Sequence, residues 1–258
     1  MKQSITIVKV GGAVLEDELQ LNRLLQHFTK VAGNKILVHG GGRRATQVAE
    51  ALGVETQMIN GRRLTSQEML EVVTMVYGGL VNKKVVAQLQ ARDINAIGLT
   101  GADANIIQAH KRPVTNDIDY GFAGDIDGVN GDRLTQLLQA GLTPIMAPLT
   151  HDGKGLMLNT NADTIASETA KALAKSYDVT LVYCFEKNGV LLNPDDDNSI
   201  IPMITRSSFD QYVADGTISG GMIPKLHNAF AAVDAGVKQV IITCATSDDW
   251  QKGTIIQR

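Results

Sequence analysis

The residues best suited to chemistry are two lysines, two glycine clusters and an arginine pair. Lys9 lies near the end of an apolar run containing Ile5, Ile7, Val8 and Val10, which Gly11-Gly12 close. A second run, Lys35-Ile-Leu-Val-His39, ends in Gly40-Gly41-Gly42. A lysine beside glycine-exposed backbone N–H groups suits a phosphate, because the amides approach closely and the ammonium adds a point charge. Two glycine-ended strands predict one crevice at the edge of a parallel sheet, where α/β proteins bind ligands. Arg62-Arg63, Asn159-Thr-Asn-Ala-Asp163 and Gly220-Gly-Met-Ile-Pro-Lys225 add further groups suited to anions. Lys225 falls at a helix start, where the dipole disfavours a cation unless an anion is also present. Each element also has a structural reading. Lys9 could be a solvated strand-end lysine, the glycines could serve turns alone, and Asn159 and Asn161 could cap a helix beginning near Ala162, with Asp163 at its positive end.

Several chemistries are excluded. Gly11-Gly12-Ala13-Val14 does not supply G-x-G-x-x-G after the first strand, and no G-x-x-x-x-G-K-[ST] occurs. His39-Gly-Gly-Gly42 resembles an esterase oxyanion segment, but no G-x-S-x-G elbow accompanies it. The five histidines and two cysteines lack metal-ligand spacing. Cys184 and Cys244 sit in apolar runs with no CxxC, which predicts buried free thiols in a reducing compartment. A net charge of −3 with interspersed signs gives no nucleic-acid footprint. Without a signal-peptide core or an apolar run approaching the ~20 residues of a membrane span, the expectation is a soluble cytoplasmic protein.

The elements that must position these groups alternate along the chain. Strands are predicted at Ile5–Val10, 36–39, Ala96–Leu99, Thr143–Leu149, Val179–Phe185 and Gln239–Cys244. Helices are predicted over Leu19–Phe28, 44–52, 131–140, 162–175 and 222–235, with a long one to about Arg92 that Thr65-Ser-Gln-Glu68 opens as a capping box. This alternation predicts an α/β fold, a mostly parallel sheet covered on both faces. Residues 103–128 break the pattern, and Ile106–Ala109 with Tyr120–Ile126 read as a small antiparallel insertion or lid. The Asp195–Asp197 run beside Pro194 reads as a surface hairpin tip. The 258 residues allow one large domain or two joined lobes, 1–177 and 178–258.

Taken together, Lys9-Val-Gly-Gly12, Val38-His-Gly-Gly-Gly42, Asn60-Gly-Arg-Arg-Leu-Thr65, Asn82-Lys83, Met157-Leu-Asn-Thr-Asn-Ala-Asp163 and Gly220-Gly-Met-Ile-Pro-Lys225 resemble the amino-acid kinase family. The match is to its branch acting on N-acylated glutamate in arginine biosynthesis, and it runs from the first strand to the C-terminal region. The resemblance implies an open αβα sandwich, an N-terminal lobe for the acylated amino acid and dimerisation, and a C-terminal lobe for ATP with Mg2+. The implied reaction transfers the γ-phosphoryl of ATP to the side-chain carboxylate of N-acetyl-L-glutamate. By the same resemblance, Lys9 and Lys225 flank the phosphoryl group, Gly12 and Gly42 donate N–H groups to it, and Asp163 holds the ammonium groups. Gly41, Gly42, Arg63, Asn159 and Asn161 would bind the amino acid. Glu186, Lys187, Asn188, Gly189, Val190, Leu191, Thr217, Ile218 and Ser219 would contact the nucleotide.

The chain departs from the family at Phe185 and Glu186, where relatives usually carry a hydroxyl residue and Asp. It also has Arg62 where an uncharged residue is usual. In an extended segment Arg62 and Arg63 face opposite ways, so Arg62 could point to solvent. Alternatively it meets a second carboxylate and the substrate is N-succinylglutamate. A non-catalytic amino-acid or nucleotide sensor is the remaining alternative. The short segment before Ile5 leads to the expectation of a homodimer without arginine inhibition, since the extra N-terminal helix of hexameric relatives has no room there.

Overall fold

The computed structural model describes every residue except Met1, Asn60, Gly221, Asp248 and Arg258, so Asn60 and Gly221 of the quoted motifs lie outside the described residues. The chain opens with β1 (Gln3–Val10), α1 (Gly12–Glu16), α2 (Glu18–Lys30), β2 (Asn34–His39) and α3 (Gly42–Ala51). A two-stranded hairpin, β3 (Met58–Ile59) and β4 (Arg62–Arg63), leads into α4 (Gln67–Val73). A π-helical segment, Thr74–Val81, continues without a break into α5 (Asn82–Gln90). Next come β5 (Ala96–Leu99), β6 (Ile107–Lys111), β7 (Gly124–Val129), α6 (Gly131–Gln139) and β8 (Thr143–Met146). They are followed by β9 (Leu149–His151), β10 (Met157–Asn159), α7 (Ala162–Ala174) and β11 (Tyr177–Phe185). The chain ends with β12 (Met203–Ile204), α8 (Arg206–Ala214), α9 (Met222–Asp234), β13 (Gln239–Cys244) and β14 (Thr254–Ile256).

One eight-stranded sheet, ordered β12-β14-β13-β11-β1-β2-β8-β5, runs through the molecule. Its pairings are parallel except β13 with β14. Alternation along β1 sends Ile5 and Ile7 to one face and Val8 and Val10 to the other. The first face packs on α6, α7, α8 and α9, and the second on α2, α3 and the α4–α5 run, giving the predicted αβα layering. The pairing of β1 with β2 on one side and β11 on the other puts the ends of all three strands at one sheet edge, Val10 opposite both His39 and Cys184.

Three local readings are corrected. The strand expected over Thr143–Leu149 ends at Met146, and Leu149 begins β9 of a second sheet, ordered β10-β9-β6-β7. The helix cap expected at Thr65 is made by Ser66, whose hydroxyl accepts from Met69 N–H, while Thr65 is buried and used elsewhere. No helix is expected over Arg206–Ala214, yet Thr205 and Ser208 close a reciprocal capping box there. The insertion does form an antiparallel pair, β6 with β7.

The insertion is sewn to the arginine hairpin through Thr65. Thr65 N–H donates to Tyr120 O at 3.1 Å and Phe122 N–H to Thr65 O at 2.8 Å. Gly121 sits between them at φ +65°, and a Cβ there would lie 2.1 Å from Thr65 O. Only glycine accommodates both the left-handed conformation and this approach. Gly121→Ala is therefore expected to lose roughly 1–3 kcal/mol of stability, lowering the melting temperature in calorimetry by several degrees and loosening the segment that carries Arg63.

Candidate active site

Two pockets meet at the glycine turns. The larger, about 640 Å³, is lined by Lys9, Gly11, Gly12, Gly42, Arg43, Phe185, the Glu186–Leu191 segment without Asn188, Thr217–Ser219 and Lys225, among others. The smaller, about 190 Å³, is lined by Gly40–Gly42, Arg62, Arg63, Tyr77, Arg112, Asn159 and Asn161, among others. Gly42 belongs to both. Every residue expected to contact nucleotide except Asn188 thus lines one pocket, and every residue expected to contact the amino acid lines the other.

The turns are built by close backbone approach. Gly40 N–H donates to Val10 O at 3.1 Å, and a Cβ on Gly12 would stand 3.6 Å from the amides of Gly41 and Gly42. Gly12 opens α1 and Gly42 opens α3, so two helix starts, whose first amides lack intrahelical partners, border the same pocket. Gly41 packs under Tyr77, whose ring lies 2.9 Å from where a Cβ would be. Tyr77 comes from the π-helical segment, a distortion often found at functional sites, and its apolar surroundings gave no sequence signal.

Lys9 projects from β1 to the face shared with α7, and its Nζ lies 2.6 Å from Asp163 Oδ1. Both side chains are largely buried, 9% and 13% exposed, so removing either partner would strand the other's charge. Asp163 stands in the first turn of α7, where Asn161 is the N-cap through Asp163 and Thr164 N–H. Asn159 does not cap. It donates to Thr65 Oγ1 at 3.0 Å, tying β10 to the arginine segment. Lys225 lies in the first turn of α9, as expected, with its Nζ 3.9 Å from the Phe185 ring centroid. Among the described contacts Asp163 pairs with Lys9, and Lys225 has the aromatic ring as its close neighbour. Burial pushes the Lys225 ammonium pKa down, Asp163 pulls it up, and Lys9 lowers it further.

Arg63 is fixed before any ligand arrives. Its Nη2 donates to Gly42 O and to Thr46 Oγ1, both at 2.9 Å, and Nη1 makes a longer contact of 3.4 Å to Thr56. Nη1 also lies 3.8 Å from Met69 Sδ, which leaves Nε as the guanidinium N–H group without a partner among the described residues. Arg62 also lines the small pocket, although neighbours in a strand diverge. Across the pocket Arg112, which sequence reasoning missed, grips Asp125 through Nε and Nη2. This pairing holds the Asp125 carboxyl below its usual range. The Arg62 side chain, exposed at the pocket rim, has no hydrogen bond or ion pair among the described residues; partial desolvation and Arg112 disfavour its charge, and Asp125 favours it.

Beneath the glycines lies a buried polar network. His39 is fully buried, and its Nδ1 lies 2.7 Å from Gly40 O. Asn82 Nδ2 donates to His39 Nε2 at 3.0 Å and to Ile145 O at 2.9 Å, and Asn82 Oδ1 accepts from Lys83. With Nε2 accepting, Nδ1 carries the proton and donates to Gly40 O, so the imidazole is neutral. Burial pushes its pKa down to about 4 from 6.5. The folded protein therefore resists a proton that the unfolded chain takes up, and stability falls as pH drops from about 6.5 to about 4. His39→Asn is expected to remove on the order of 3 kcal/mol of that pH-dependent loss, measured by urea unfolding at the two limits.

The described residues hold no group of three metal-capable side chains and no helix long and apolar enough to cross a membrane. A sequence profile of the amino acid kinase family matches residues 4–244. The acetylglutamate kinase of Phocaeicola vulgatus is 61% identical with both chains covered in full, and that of Bacteroides thetaiotaomicron is 59% identical over the same span. Among solved structures, the Streptococcus mutans protein smu.665 superposes with a TM-score of 0.81 at 29% identity, covering 98% of each chain. With the glycine turns, the buried lysine–aspartate pair and the αβα sheet already in place, this match over nearly the whole length establishes that the chain belongs to the amino acid kinase family.

Proposed function

We propose that the chain is an acetylglutamate kinase, transferring the γ-phosphoryl of ATP to the side-chain carboxylate of N-acetyl-L-glutamate. The observation that carries this reading is the meeting of two pockets at Gly42, one rimmed by lysines and amides and the other by arginines. Full-length relatives of that name at 57–61% identity support it. The acceptor carboxylate is already a nucleophile at neutral pH and needs no general base. The barrier lies in aligning an anion with a polyanion and neutralising the charge that develops. Lys9 and Lys225 supply the charge, and the Gly12 and Gly42 amides supply directed donors. Arg63 holds the α-carboxylate and Asn159 the acyl amide. Mg2+ would arrive on the nucleotide phosphates and offset their charge. The protein would work in the cytoplasm as a homodimer, a reading supported by exposed Met75 and Leu80 on the π-helical segment.

Coupled ADP release with N-acetyl-L-glutamate tests the assignment, and absence of turnover would favour the sensor reading. Lys9→Ala and Lys225→Ala are each expected to lose about 10²–10³ in kcat with little change in ATP affinity by calorimetry. Arg63→Ala is expected to raise KM for the amino acid at least tenfold, roughly 1.4 kcal/mol, and KM for ATP hardly at all.

A second reading concerns the acyl group. Asp125 engages Arg112 directly and attracts Arg62 only at longer range, so Arg62, exposed at the rim of the acceptor pocket, has no hydrogen bond or ion pair of its side chain among the described residues. A further carboxylate, as in N-succinyl-L-glutamate, would satisfy it. The measurement is the ratio of kcat/KM for succinyl over acetyl substrate in wild type and Arg62→Leu. A fall of roughly tenfold in that ratio supports the succinyl substrate, and an unchanged ratio, or wild type preferring acetyl, rejects it.

A further inference from the structure

Lys225 poses a problem that the phosphoryl-transfer chemistry does not solve. It enters the site from the first turn of α9, against the local dipole. It is also close enough to the Lys9–Asp163 pair to feel both charges. Asp163 is already engaged by Lys9 at 2.6 Å. The position that would most simply settle a second ammonium is 185, at the carboxyl end of β11, and this chain has an aromatic ring there.

The ring is oriented for that purpose. Leu181, Tyr183 and Phe185 alternate onto the same face of β11, the face toward α7 and α9. Tyr183 is almost fully buried, donates to Asp163 O at 3.3 Å, and lies parallel to Phe185 at a centroid distance of 6.2 Å and an interplanar angle of 10°. This stacking presents the Phe185 face to the lysines, with Lys225 Nζ 3.9 Å and Lys9 Nζ 5.3 Å from its centroid. Both distances fall within the ~6 Å over which an aromatic quadrupole attracts a cation. The ring lines the larger pocket together with Lys9, Gly12, Gly42 and Lys225.

We infer that Phe185 is a positioning residue for phosphoryl transfer, its π face holding the Lys225 ammonium in place beside Lys9 before the nucleotide arrives. A serine or threonine at this position could offer a hydroxyl but no such face. An acidic side chain would bind Lys225 more tightly and would repel the phosphates. The aromatic ring attracts the ammonium without adding a negative charge against ATP. This inference rests on the kinase reading, yet its first test does not require turnover.

In wild-type protein carrying 13C-lysine, the Lys225 ε-methylene resonances are expected upfield of free lysine through the ring current, with Lys225→Arg identifying the signal. They return toward the free value in Phe185→Leu and remain shifted in Phe185→Tyr. Kinetically, Phe185→Leu is expected to lose roughly 3- to 30-fold in kcat with both KM values within about twofold. The charged groups facing Lys225 are Asp163 from α7, Lys9 from β1 and Glu186 at the end of β11. The ring adds to the two carboxylates in favouring the ammonium, so its loss moves the alkaline limb of the kcat profile to lower pH. Phe185→Tyr restores both kcat and the limb. Unshifted Lys225 resonances in wild type overturn the inference, as does a Phe185→Leu enzyme with wild-type kcat and pH profile, or a Phe185→Tyr enzyme as impaired as Phe185→Leu. If Phe185→Leu does not fold, the wild-type and Phe185→Tyr resonances decide. If no acceptor is turned over, the kinase reading fails while the resonances still report on the ring.

Discussion

Ammonium groups gathered at one sheet edge repel each other, and the arrangement of the site follows from managing that repulsion. Lys9 and Lys225 come from opposite ends of the chain and converge on one sheet edge. Burial would strengthen their attraction for an anion and raises the cost of holding them without one. The structure offsets this cost with Asp163, at 2.6 Å from Lys9, with Glu186, which also favours the Lys225 ammonium, and with the Phe185 ring, which faces Lys225 closely and Lys9 at longer range. Asp163 is placed by the start of α7, whose cap, Asn161, lines the acceptor pocket. The charge balance of one pocket and the geometry of the other therefore depend on the same turn.

The backbone donors are held by an equally specific arrangement. Two glycine turns stand in van der Waals contact, and a methyl group on Gly41 would strike the Tyr77 ring. Arg63 reaches across to the Gly42 carbonyl, so the residue that would bind the amino acid also braces the turn that would bind phosphate. From below, the neutral His39 donates to Gly40 O and is itself held by Asn82. A polar chain from Lys83 through Asn82 and His39 thus ends at the turn, deep in a layer that is otherwise apolar. Each of these groups is hydrogen-bonded, which is the condition under which a buried polar network specifies a single arrangement.

The acceptor side shows how one charged residue changes the chemistry a pocket requires. Arg112 is neutralised by Asp125 through a bidentate grip, and Arg63 is engaged by backbone and threonine oxygens. Arg62 has no such engagement among the described residues and lines the same small space. The insertion that carries Arg112 and Asp125 is fastened to the hairpin carrying Arg62 and Arg63 through Thr65 and Gly121. The small pocket is thereby built from two chain segments that are distant in sequence.

Residue type and period alone determined the strand–helix alternation, the αβα class, Lys9 at a strand end, Lys225 at a helix start and the family motifs. These are local properties: a strand shows its period of two, a helix its period of 3.6, and a glycine turn its composition. The boundaries that failed were also local in kind but decided by distant partners. Thr65 has the spacing of a cap yet is drawn into contacts with Tyr120, Phe122 and Asn159, so Ser66 caps instead. The run after Met146 leaves the main sheet because Leu149–His151 pairs with β10 and β6. Tertiary structure alone brought Tyr77 under Gly41, Arg112 beside Arg62, and the Phe185 ring beneath Lys225. No spacing rule links residues so far apart in the chain. Their meeting is fixed by the parallel order of β11, β1 and β2 and by the helices those strands pull across the sheet.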